Sequence, residues 1–394
     1  MMHDILFLAH RVPYPPDRGD KIRSWHILQA LAKLAHVHVV ALCDDERDKA
    51  HLDVLRGVAA SVAVFDRSAS RAGAMTKALL RGGPASVHAF GSSAFADYVH
   101  TLLREREIGC VYAFSGQMAQ YVPHNLDVRF VMDFVDMDSA KYGQWAMAGG
   151  LKGLANRFEH KRLQAYEIAT ARRADVSLFV SAAEADLFRS VSGLGAEKVQ
   201  VLENGIDLLH FAPDPTTERD PNLIVFTGQM DYAPNVEAVV DFVRTDWPQV
   251  RTALPEAKFV VVGRNPVAAV QALGGMEGVE VTGEVPDTRV WLHRAALVVA
   301  PLKLARGVQN KVLEAMACGK AVVASSGAAT GIDALAGRDF IVADGAAVTA
   351  KRIVTLLQNP EDAARLGVAA RARMAARYGW AAQLAHLPEL AGAI

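Results

Sequence analysis

The chain has 394 residues, 51% hydrophobic and 22% charged, so it is long enough to fold around two hydrophobic cores rather than one. Its 42 basic and 43 acidic residues give a formal net charge of −1, and no overall field favours nucleic acid as a partner. The three distant cysteines, Cys43, Cys110 and Cys318, exclude a disulfide scaffold and fit a reducing compartment. No apolar run reaches the roughly 18 residues of a membrane-spanning helix, and the N-terminus lacks the basic flank of a signal peptide. A cytoplasmic protein is therefore expected.

Short apolar, β-branched runs alternate with amphipathic helical stretches along the chain. The runs predicted as strands form two series, near residues 4–10, 37–43, 61–66, 110–115, 129–136, 176–181 and 199–203, and near residues 223–228, 257–263, 279–283, 297–302, 321–326 and 340–344. Continuous apolar strands separated by helices are typical of parallel sheets covered on both faces. The sequence therefore predicts an α/β fold built twice.

A turn-rich stretch separates the two series. Glu203-Asn204-Gly205-Ile206-Asp207 forms a turn cluster, and several prolines follow it. We therefore predict domains of residues 1–205 and 206–375, with helices in residues 376–394 packing back across the hinge. Open α/β sheets bind ligands at the carboxyl ends of their strands, so the site is expected just after strands, in the cleft between the domains.

The most informative segment is residues 301–320, PLKLARGVQNKVLEAMACGK. It leaves a strand, turns at Gly307 and enters a helix on which Lys311 and Glu314 share a face. A helix start offers free N–H groups and partial positive charge, which indicates a pyrophosphate site, with Glu314 as the acceptor for a ribose diol. The cations available to such a site are Lys303, Arg306 and Lys311. A solvated basic loop before an ordinary amphipathic helix fits the same spacing.

The end of this segment resembles the donor-binding signature of the retaining family 4 glycosyltransferases of the GT-B fold. Their LEAMAxGxPVV run reads LEAMACGKAVV here, from Leu313 to Val323. The resemblance implies two Rossmann-like domains facing each other across a cleft, and transfer of a sugar from a nucleoside diphosphate sugar with no metal or other cofactor. Most members carry a second glutamate eight positions before the one that matches Glu314. That position is Arg306 here, which leaves the identity of the sugar open.

Two further segments match the same family. The run Asn204-Gly205-Ile206-Asp207 resembles the NGVD hinge between its domains. The loop TGQMDYAPN at residues 227–235, which includes Gly228, resembles the opening loop of the second domain in a subgroup with MDYxPN. This loop lacks the Arg and the Lys-Gly pair with which many members bind phosphates. The cations of residues 301–320 are therefore expected to replace them.

The stretch from His10 to Arg23 follows the first strand and opens a helix. Its prolines fix a turn and Gly19 permits close backbone approach, so Gly19 and Lys21 are predicted to face the donor phosphates or the acceptor. Lys21 also fits a plain solvated helix residue. His10 is a catalytic candidate near the sugar ring, with a structural histidine as the alternative. With DFVDMDS at 133–139, the stretch resembles sugar transferases of PEP-CTERM/exosortase systems of bacterial surface polysaccharide production, which implies a saccharide acceptor, such as one linked to polyprenyl diphosphate.

Three other patterns in the sequence are less specific. Asp136 and Asp138 spell the DxD of metal-dependent glycosyltransferases, but in a GT-B pattern Asp136 is predicted instead as a catalytic acid near the acceptor, or as a helix cap. His36 and His38 lack a third ligand, so no metal site is predicted. Residues 67–81 carry four cations and no acid among apolar residues, which indicates contact with an anionic membrane surface or, alternatively, a solvated helix face.

Two other classes of protein remain open at this point. The same fold serves sugar-nucleotide epimerases, which need no acceptor, and a non-catalytic sugar-nucleotide-binding protein would also fit the missing first glutamate. No GxGxxG follows the first strand, which disfavours a nicotinamide dehydrogenase. The donor sugar, the base, the acceptor and the linkage are not specified by the sequence.

Overall fold

The computed structural model describes residues 3–67, 71–147, 150–303 and 308–392. Contacts divide the chain into two units. The first contains the chain up to Asn204 and a C-terminal segment from Gln383, and the second is Gly205–Ala382. The predicted terminal segment, 376–394, is thereby divided, because its first residues belong to the second unit and the rest to the first.

A seven-stranded sheet organises the first unit, in the order β3-β2-β1-β4-β5-β6-β7. The strands are β1 (Asp4–Ala9), β2 (Val37–Cys43), β3 (Ser61–Asp66), β4 (Ile108–Phe114), β5 (Arg129–Val135), β6 (Val176–Phe179) and β7 (Val199–Val201). Each neighbouring pair described is parallel. Apolar side chains point to both faces of β1 and β2, which are buried almost throughout because helices cover the sheet.

Helices join these strands and cover the sheet. They are α1 (Gly19–Leu31), α2 (Leu52–Arg56), α3 (Arg71–Arg81), α4 (Ala85–His88), α5 (Ser93–Glu105), α6 (Asp138–Ala146), α7 (Gly150–Arg173) and α8 (Ala182–Ser192). Short 3₁₀ turns cover Glu46–His51 and Gly116–Tyr121. Among the described residues, no helix combines the length and the apolar character needed to cross a membrane.

A six-stranded parallel sheet organises the second unit, in the order β10-β9-β8-β11-β12-β13. Its strands are β8 (Leu223–Thr227), β9 (Lys258–Val262), β10 (Val279–Gly283), β11 (Leu297–Ala300), β12 (Ala321–Ala324) and β13 (Ile341–Val342). Every run predicted as a strand in the sequence is a strand here, within a few residues at either end. The predicted α/β fold with two Rossmann-like domains is therefore confirmed.

The helices of the second unit follow the same alternation. They are α9 (Ala233–Thr245), α10 (Trp247–Ala253), α11 (Ala268–Gln271), α12 (Arg289–Arg294), α13 (Asn310–Ala317), α14 (Ser326–Ala329), α15 (Ala346–Gln358), α16 (Pro360–Arg373) and α17 (Trp380–Gln383). A 3₁₀ turn covers Ala272–Gly275, a π turn covers Met374–Tyr378, and α18 (Leu387–Leu390) lies with the first unit.

Each sheet reverses its strand order beside its first strand. The reversal falls between β1 and β4 in the first unit and between β8 and β11 in the second. At such a switch point the loops leaving two neighbouring strands turn to opposite faces, which opens a crevice at the carboxyl edge of the sheet. The two crevices are where the polar residues singled out from the sequence are expected to lie.

Arg23 of α1 is buried and joins distant parts of the first unit. Its Nε and Nη2 donate to Asp133 of β5 at 3.0 and 3.1 Å, and its Nη1 donates to Leu202 O at 2.7 Å and Asn204 Oδ1 at 3.0 Å. Asp133 is also buried and accepts a third side-chain hydrogen bond, from the Tyr112 hydroxyl at 2.9 Å. Two charges removed from water need this many partners, because an unpaired one would carry a large desolvation cost.

The same contact lies at the end of β7. The sequence predicts a strand over residues 199–203, whereas the strand stops at Val201, opposite the last residue of β6, Phe179. The carbonyl of Leu202, just beyond the strand, accepts from the Arg23 guanidinium, 179 residues away in the sequence.

Candidate active site

A pocket of about 580 Å³ lies at the switch point of the second sheet. The loop after β8, the ends of β9 and β10, the start of α12 and the first turns of α13 form its walls. The charged residues in these walls are Arg264, Glu284, Lys311 and Glu314. The predicted residues Gly228, Lys311 and Glu314 are thus brought together from two segments of the chain.

The ammonium group of Lys311 is held where three elements meet. Its Nζ donates to Asn235 Oδ1 of α9 and lies 4.4 Å from the centre of the Phe226 ring of β8. Asn235 is fixed in turn, because its Nδ2 donates to the carbonyl oxygen of Gln229 at 2.9 Å. The cation therefore stands beside the starts of both α9 and α13, whose helix dipoles also favour an anion.

Lys311 and Glu314 shift each other's protonation within this partly dry pocket. Burial lowers the pKa of Lys311 to about 8, and the negative charge of Glu314 opposes that shift. Burial raises the pKa of Glu314, and the positive charge of Lys311 opposes it. An ammonium whose charge is poorly compensated is a group that a bound anion stabilises.

Two glycines allow the strand ends to approach closely beneath the pocket. A Cβ at Gly228 would lie 2.8 Å from Asn235 Nδ2 and 3.1 Å from Lys311 Nζ. A Cβ at Gly263 would lie 1.6 Å from the carbonyl oxygen of Gly228, and Gly263 has φ +158°. A side chain at either position would therefore displace the groups that form the pocket floor.

Several polar groups of the pocket were not identified from the sequence, among them Arg264 and Thr227. Arg264 follows β9, is exposed, and donates from Nη2 to Gln229 Oε1 at 3.2 Å. Thr227 is buried at the end of β8, and within the described residues its Oγ1 has no hydrogen-bond partner. Their position in the sequence could have identified them. Thr227-Gly228 and Gly263-Arg264 each place a polar residue beside a glycine at the end of a strand, where ligands bind in open α/β sheets.

Lys303, another of the cations predicted in residues 301–320, does not line this pocket. Lys303 is exposed and forms an ion pair with Asp241 of α9, so its charge is already compensated away from the pocket walls. Arg306 and Gly307 lie outside the described residues. Lys311 is thus the predicted cation that lines the pocket in the described structure, and Arg264, which was not predicted, is a second cation there.

His10 lies at the carboxyl end of β1, beside the switch point of the first sheet. It is 8% exposed, its Nε2 is 3.2 Å from Asp20 Oδ2, and within the described residues its Nδ1 has no hydrogen-bond partner. Arg11 Nη1 donates to the same Asp20 oxygen at 2.5 Å. Burial alone would raise the pKa of Asp20, but these hydrogen bonds hold it well below its usual range. The His10 ring is therefore held through Nε2, and its Nδ1 has no hydrogen-bond partner among the described residues.

The two other predicted residues of the N-terminal loop differ in their surroundings. Gly19 begins α1, and no described atom lies within 4 Å of where its Cβ would be, so open space adjoins it. Lys21 is buried, with its Nζ 2.8 Å from Asp48 Oδ1 and 3.4 Å from Asp17 Oδ1. The prediction that Lys21 faces a phosphate is not supported, because its charge is turned inward and neutralised by these carboxylates.

The DxD pair is bridged by a cation from the same segment. Lys141 Nζ donates to Asp136 Oδ2 and to Asp138 Oδ1, both at 2.9 Å. Burial alone would lower the pKa of Lys141, but the two carboxylates raise it well above its usual range. Asp136 therefore lies at the carboxyl edge of the first sheet as an ion-paired carboxylate.

A second pocket, of about 560 Å³, lies in the first unit between α3, α4 and α6. Its lining combines apolar residues with the charges of Arg67, Asp138 and Lys141. The guanidinium of Arg67 lies 4.1 Å from the centre of the Phe90 ring, which fixes it against the apolar wall. The pocket therefore suits a ligand that has both an apolar and an anionic part.

Glutamates from outside this pocket cap the helices that form it. Glu159 of α7 accepts from the first N–H groups of α4, at 2.8 and 2.9 Å. Glu167 of α7 accepts from the N–H and the hydroxyl of Ser139 in α6, and Glu184 of α8 accepts from Met137 N at 2.8 Å. Burial raises the pKa of Glu167 to about 7, and the bonds from Ser139 oppose it. These carboxylates satisfy N–H groups that helix starts leave free.

A solved structure is similar to this chain along almost its whole length. The structure of Anabaena Alr3699/HepE in complex with UDP is similar over 99% of this chain and 100% of that chain, with a TM-score of 0.65 and 16% identity. Two parallel Rossmann-like sheets of the orders described define the GT-B class of fold, and this chain has that fold.

Two family models match the sequence along most of its length. Residues 22–209 match Glycosyltransferase Family 4, and residues 221–359 match Glycosyl transferases group 1. The chain belongs to the GT-B glycosyltransferases of the family 4 type, as the resemblance of the LEAMACGKAVV run predicted.

Two curated relatives are similar over part of their length. The chain is 29% identical over 219 residues to the phosphatidyl-myo-inositol mannosyltransferase of Propionibacterium freudenreichii subsp. shermanii, covering 53% of each chain. It is 30% identical over 237 residues to the GDP-mannose-dependent alpha-(1-6)-phosphatidylinositol monomannoside mannosyltransferase of Mycolicibacterium smegmatis, covering 55% of this chain and 62% of that relative. The chain thus spans little more than half the length of the curated relatives it matches.

Proposed function

We propose that this protein transfers a sugar from a nucleoside diphosphate sugar to a lipid-linked saccharide acceptor in surface polysaccharide production, with retention of configuration and without a metal. The observation that carries the proposal is that Lys311 and Glu314 together line a pocket at the second switch point. The named activities of the relatives, two mannosyltransferases acting on phosphatidylinositol glycolipids, support a glycolipid acceptor. The link to PEP-CTERM/exosortase systems stays part of the proposal.

The donor side follows from the charges of the pocket. During transfer the bond between the sugar C1 and the β-phosphate oxygen breaks, and negative charge builds on the departing diphosphate. Lys311, Arg264 and the helix starts beside them are positioned to stabilise that charge, and a partly dry pocket strengthens each contact. The carboxylate of Glu314 is one turn into α13, where it would accept hydrogen bonds from the ribose hydroxyls.

The first unit is proposed to bind the acceptor. Its pocket between α3, α4 and α6 combines an apolar wall with the guanidinium of Arg67, which suits a phosphorylated lipid carrying a saccharide. A new bond forms between the acceptor oxygen and C1, and the hydroxyl proton must leave. His10, with an unused Nδ1, and Asp136 are the candidates of this unit for that role.

The proposal predicts that Glu314→Gln weakens nucleotide binding by about tenfold, because a neutral amide makes a weaker hydrogen bond to a diol than a carboxylate does. Calorimetry with free nucleoside diphosphates measures this. Glu361→Gln, an equivalent change on the exposed face of α16, serves as the control and keeps the wild-type affinity. Equal affinity of the Glu314 variant and the wild type would remove the ribose assignment.

Product analysis separates the proposed transfer from the two alternatives on the same fold. Wild-type protein is incubated with a panel of nucleotide sugars, with and without a lipid extract. A transferase releases nucleoside diphosphate and labels the lipid only when both are present. An epimerase would alter the sugar nucleotide with no extract added, and a binding protein would bind the donor without turnover.

Contact with a membrane surface is a further part of the proposal, supported by exposed apolar side chains on one group of helices. From Arg71 on, the predicted segment 67–81 forms α3, which contacts α7 through Arg162 and the carbonyl of Ala78. The exposed large apolar residues of α3, α6, α7 and the loop between α6 and α7 are Met75, Leu80, Trp145, Met147, Leu154 and Phe158. Partial insertion of such exposed apolar side chains among lipids is favourable, because it removes their apolar surface from water.

We expect the double substitution Leu80→Ser and Phe158→Ser to weaken sedimentation with phosphatidylglycerol vesicles by about tenfold or more, because each lost side chain removes an insertion contact. Leu209→Ser, which changes an equally exposed leucine of the second unit, serves as the control and leaves sedimentation unchanged. Raised salt should weaken wild-type binding as well, since cations of α3 contribute. Sedimentation equal to that of the wild type would refute contact through these helices.

A further inference from the structure

The donor pocket contains a second carboxylate, Glu284, for which the diphosphate and the ribose provide no role. It follows β10 directly, after Gly283, whose φ of +71° turns the chain at the strand end. Glu284 is exposed in the pocket wall, and no described residue makes a hydrogen bond or an ion pair with it. Within the described part of the chain its carboxylate is therefore available to a group from solvent or from a ligand.

The sheet order places Glu284 at the opposite end of the pocket from Lys311. β10 is the edge strand, two strands from β8 and three from β11, which leads towards α13. Because parallel strands are about 4.8 Å apart, the end of β10 lies roughly 10 Å from the end of β8 and 14 Å from that of β11. With the diphosphate at Lys311 and the ribose at Glu314, the nucleotide base is the part that reaches this end.

The negative charge of Glu284 determines which edge of a nucleotide base it can bind. A carboxylate has two acceptor oxygens and no donor, so it needs N–H groups and repels phosphates and carbonyl oxygens. Guanine presents two adjacent donors, N1–H and the N2 amino group, which match both oxygens of one carboxylate. Uracil presents one N–H between two carbonyl oxygens, and adenine presents its amino group beside an unprotonated ring nitrogen. Val285 and Thr288 adjoin Glu284 in the same wall, where an apolar surface and a hydroxyl complete a base site.

We infer that Glu284 selects guanine, so that the donor of this protein is a GDP-sugar. The inference rests on the proposed function, since it takes the pocket to be the nucleotide site. The nucleotides named with the similar proteins differ, GDP-mannose for one curated relative and UDP for the solved neighbour, and do not themselves choose the base.

The test is calorimetry of the full-length protein with GDP, IDP, UDP and ADP. IDP is guanosine diphosphate without the N2 amino group, so it can form only one of the two hydrogen bonds. We expect GDP to bind about 10- to 100-fold more tightly than UDP or ADP, and IDP to fall between them, because a bidentate contact to a base discriminates by about that factor.

Glu284→Gln should lower the affinity for GDP by about tenfold or more and leave that for UDP unchanged. Glu280→Gln is the matched control, because Glu280 is exposed on the same strand outside the pocket wall. Preference for UDP or ADP in the wild type, or an equal loss for every nucleotide in the Glu284 variant, would overturn the assignment of guanine while the donor site stands. Failure of all four nucleotides to bind would overturn the proposed function as well.

Discussion

Replacing Lys311 by methionine is expected to lower kcat/KM by about 10- to 100-fold without lowering the melting temperature. The activity falls because a charge-assisted contact to the departing diphosphate, worth roughly 1.5–3 kcal/mol, is lost. The fold does not suffer, because burial of this ammonium is unfavourable, as its pKa of about 8 indicates. Above that pH the unfolded chain binds a proton that the folded chain has released, so stability rises with pH up to the ordinary pKa of lysine. Methionine retains the packing against Phe226 and removes the buried charge.

A second buried lysine of the same unit provides the control for this prediction. Burial also lowers the pKa of Lys320 to about 8, but its Nζ donates to the carbonyls of His293 and Ala295, outside the pocket. Lys320→Met should therefore keep activity, because Lys320 lies outside the pocket. It should lose stability, the reverse of Lys311→Met, because the two backbone carbonyl oxygens would be left without their donor. The wild type should bind nucleoside diphosphate less tightly as pH rises through 8, since the ammonium is then neutral, and this trend should vanish in the Lys311 variant. If both lysine variants lose stability and keep turnover, Lys311 has no role with the donor.

Replacing Arg23 by methionine is expected to give a large loss of stability in the first unit. The guanidinium makes four hydrogen bonds, two of them to Asp133, and methionine would leave that buried carboxylate without its cation. Breaking a buried pair in this way costs about 3–5 kcal/mol. For a unit of this size the melting temperature should fall by roughly 6–20 °C in scanning calorimetry.

Two further variants distinguish loss of the ion pair from general damage. Tyr112→Phe removes one hydrogen bond to Asp133 and should cost only about 1 kcal/mol. Combining Arg23→Met with Asp133→Leu removes both charges and should recover much of the loss, because buried pairs replaced together by apolar residues are often neutral. A double variant no more stable than Arg23→Met alone would contradict this account.

The fold was predictable because parallel sheets bury both faces of their strands. Runs such as residues 37–43 and 297–302 are apolar without alternation, and the helices between them are amphipathic, so the α/β pattern is a local property of the sequence. The order of the strands is not local. It depends on which crossovers pack on which face, so the sequence did not predict that two strands separate β10 from β11.

The site was predictable where neighbours in the sequence stay neighbours in space. Lys311 and Glu314 lie on one helix turn, and their proximity follows from helix geometry. The charges of Lys21 and Lys303 looked equally suitable, but each is paired with a carboxylate from a distant segment, Asp48 and Asp241. Whether a cation is already neutralised is decided by tertiary contacts, which spacing along the chain does not reveal.

The glutamates that cap α4 and α6 influence the shape of the pocket in the first unit, although they do not line it. Glu159 and Glu167 stand on one 24-residue helix, α7, and each holds the first turn of a different wall. Helix α7 thus fixes the positions of two helices that form the pocket wall. Substitutions at these positions of α7 would therefore change the shape of the pocket without changing any residue that lines it. Relatives with identical lining residues need not bind the same ligand.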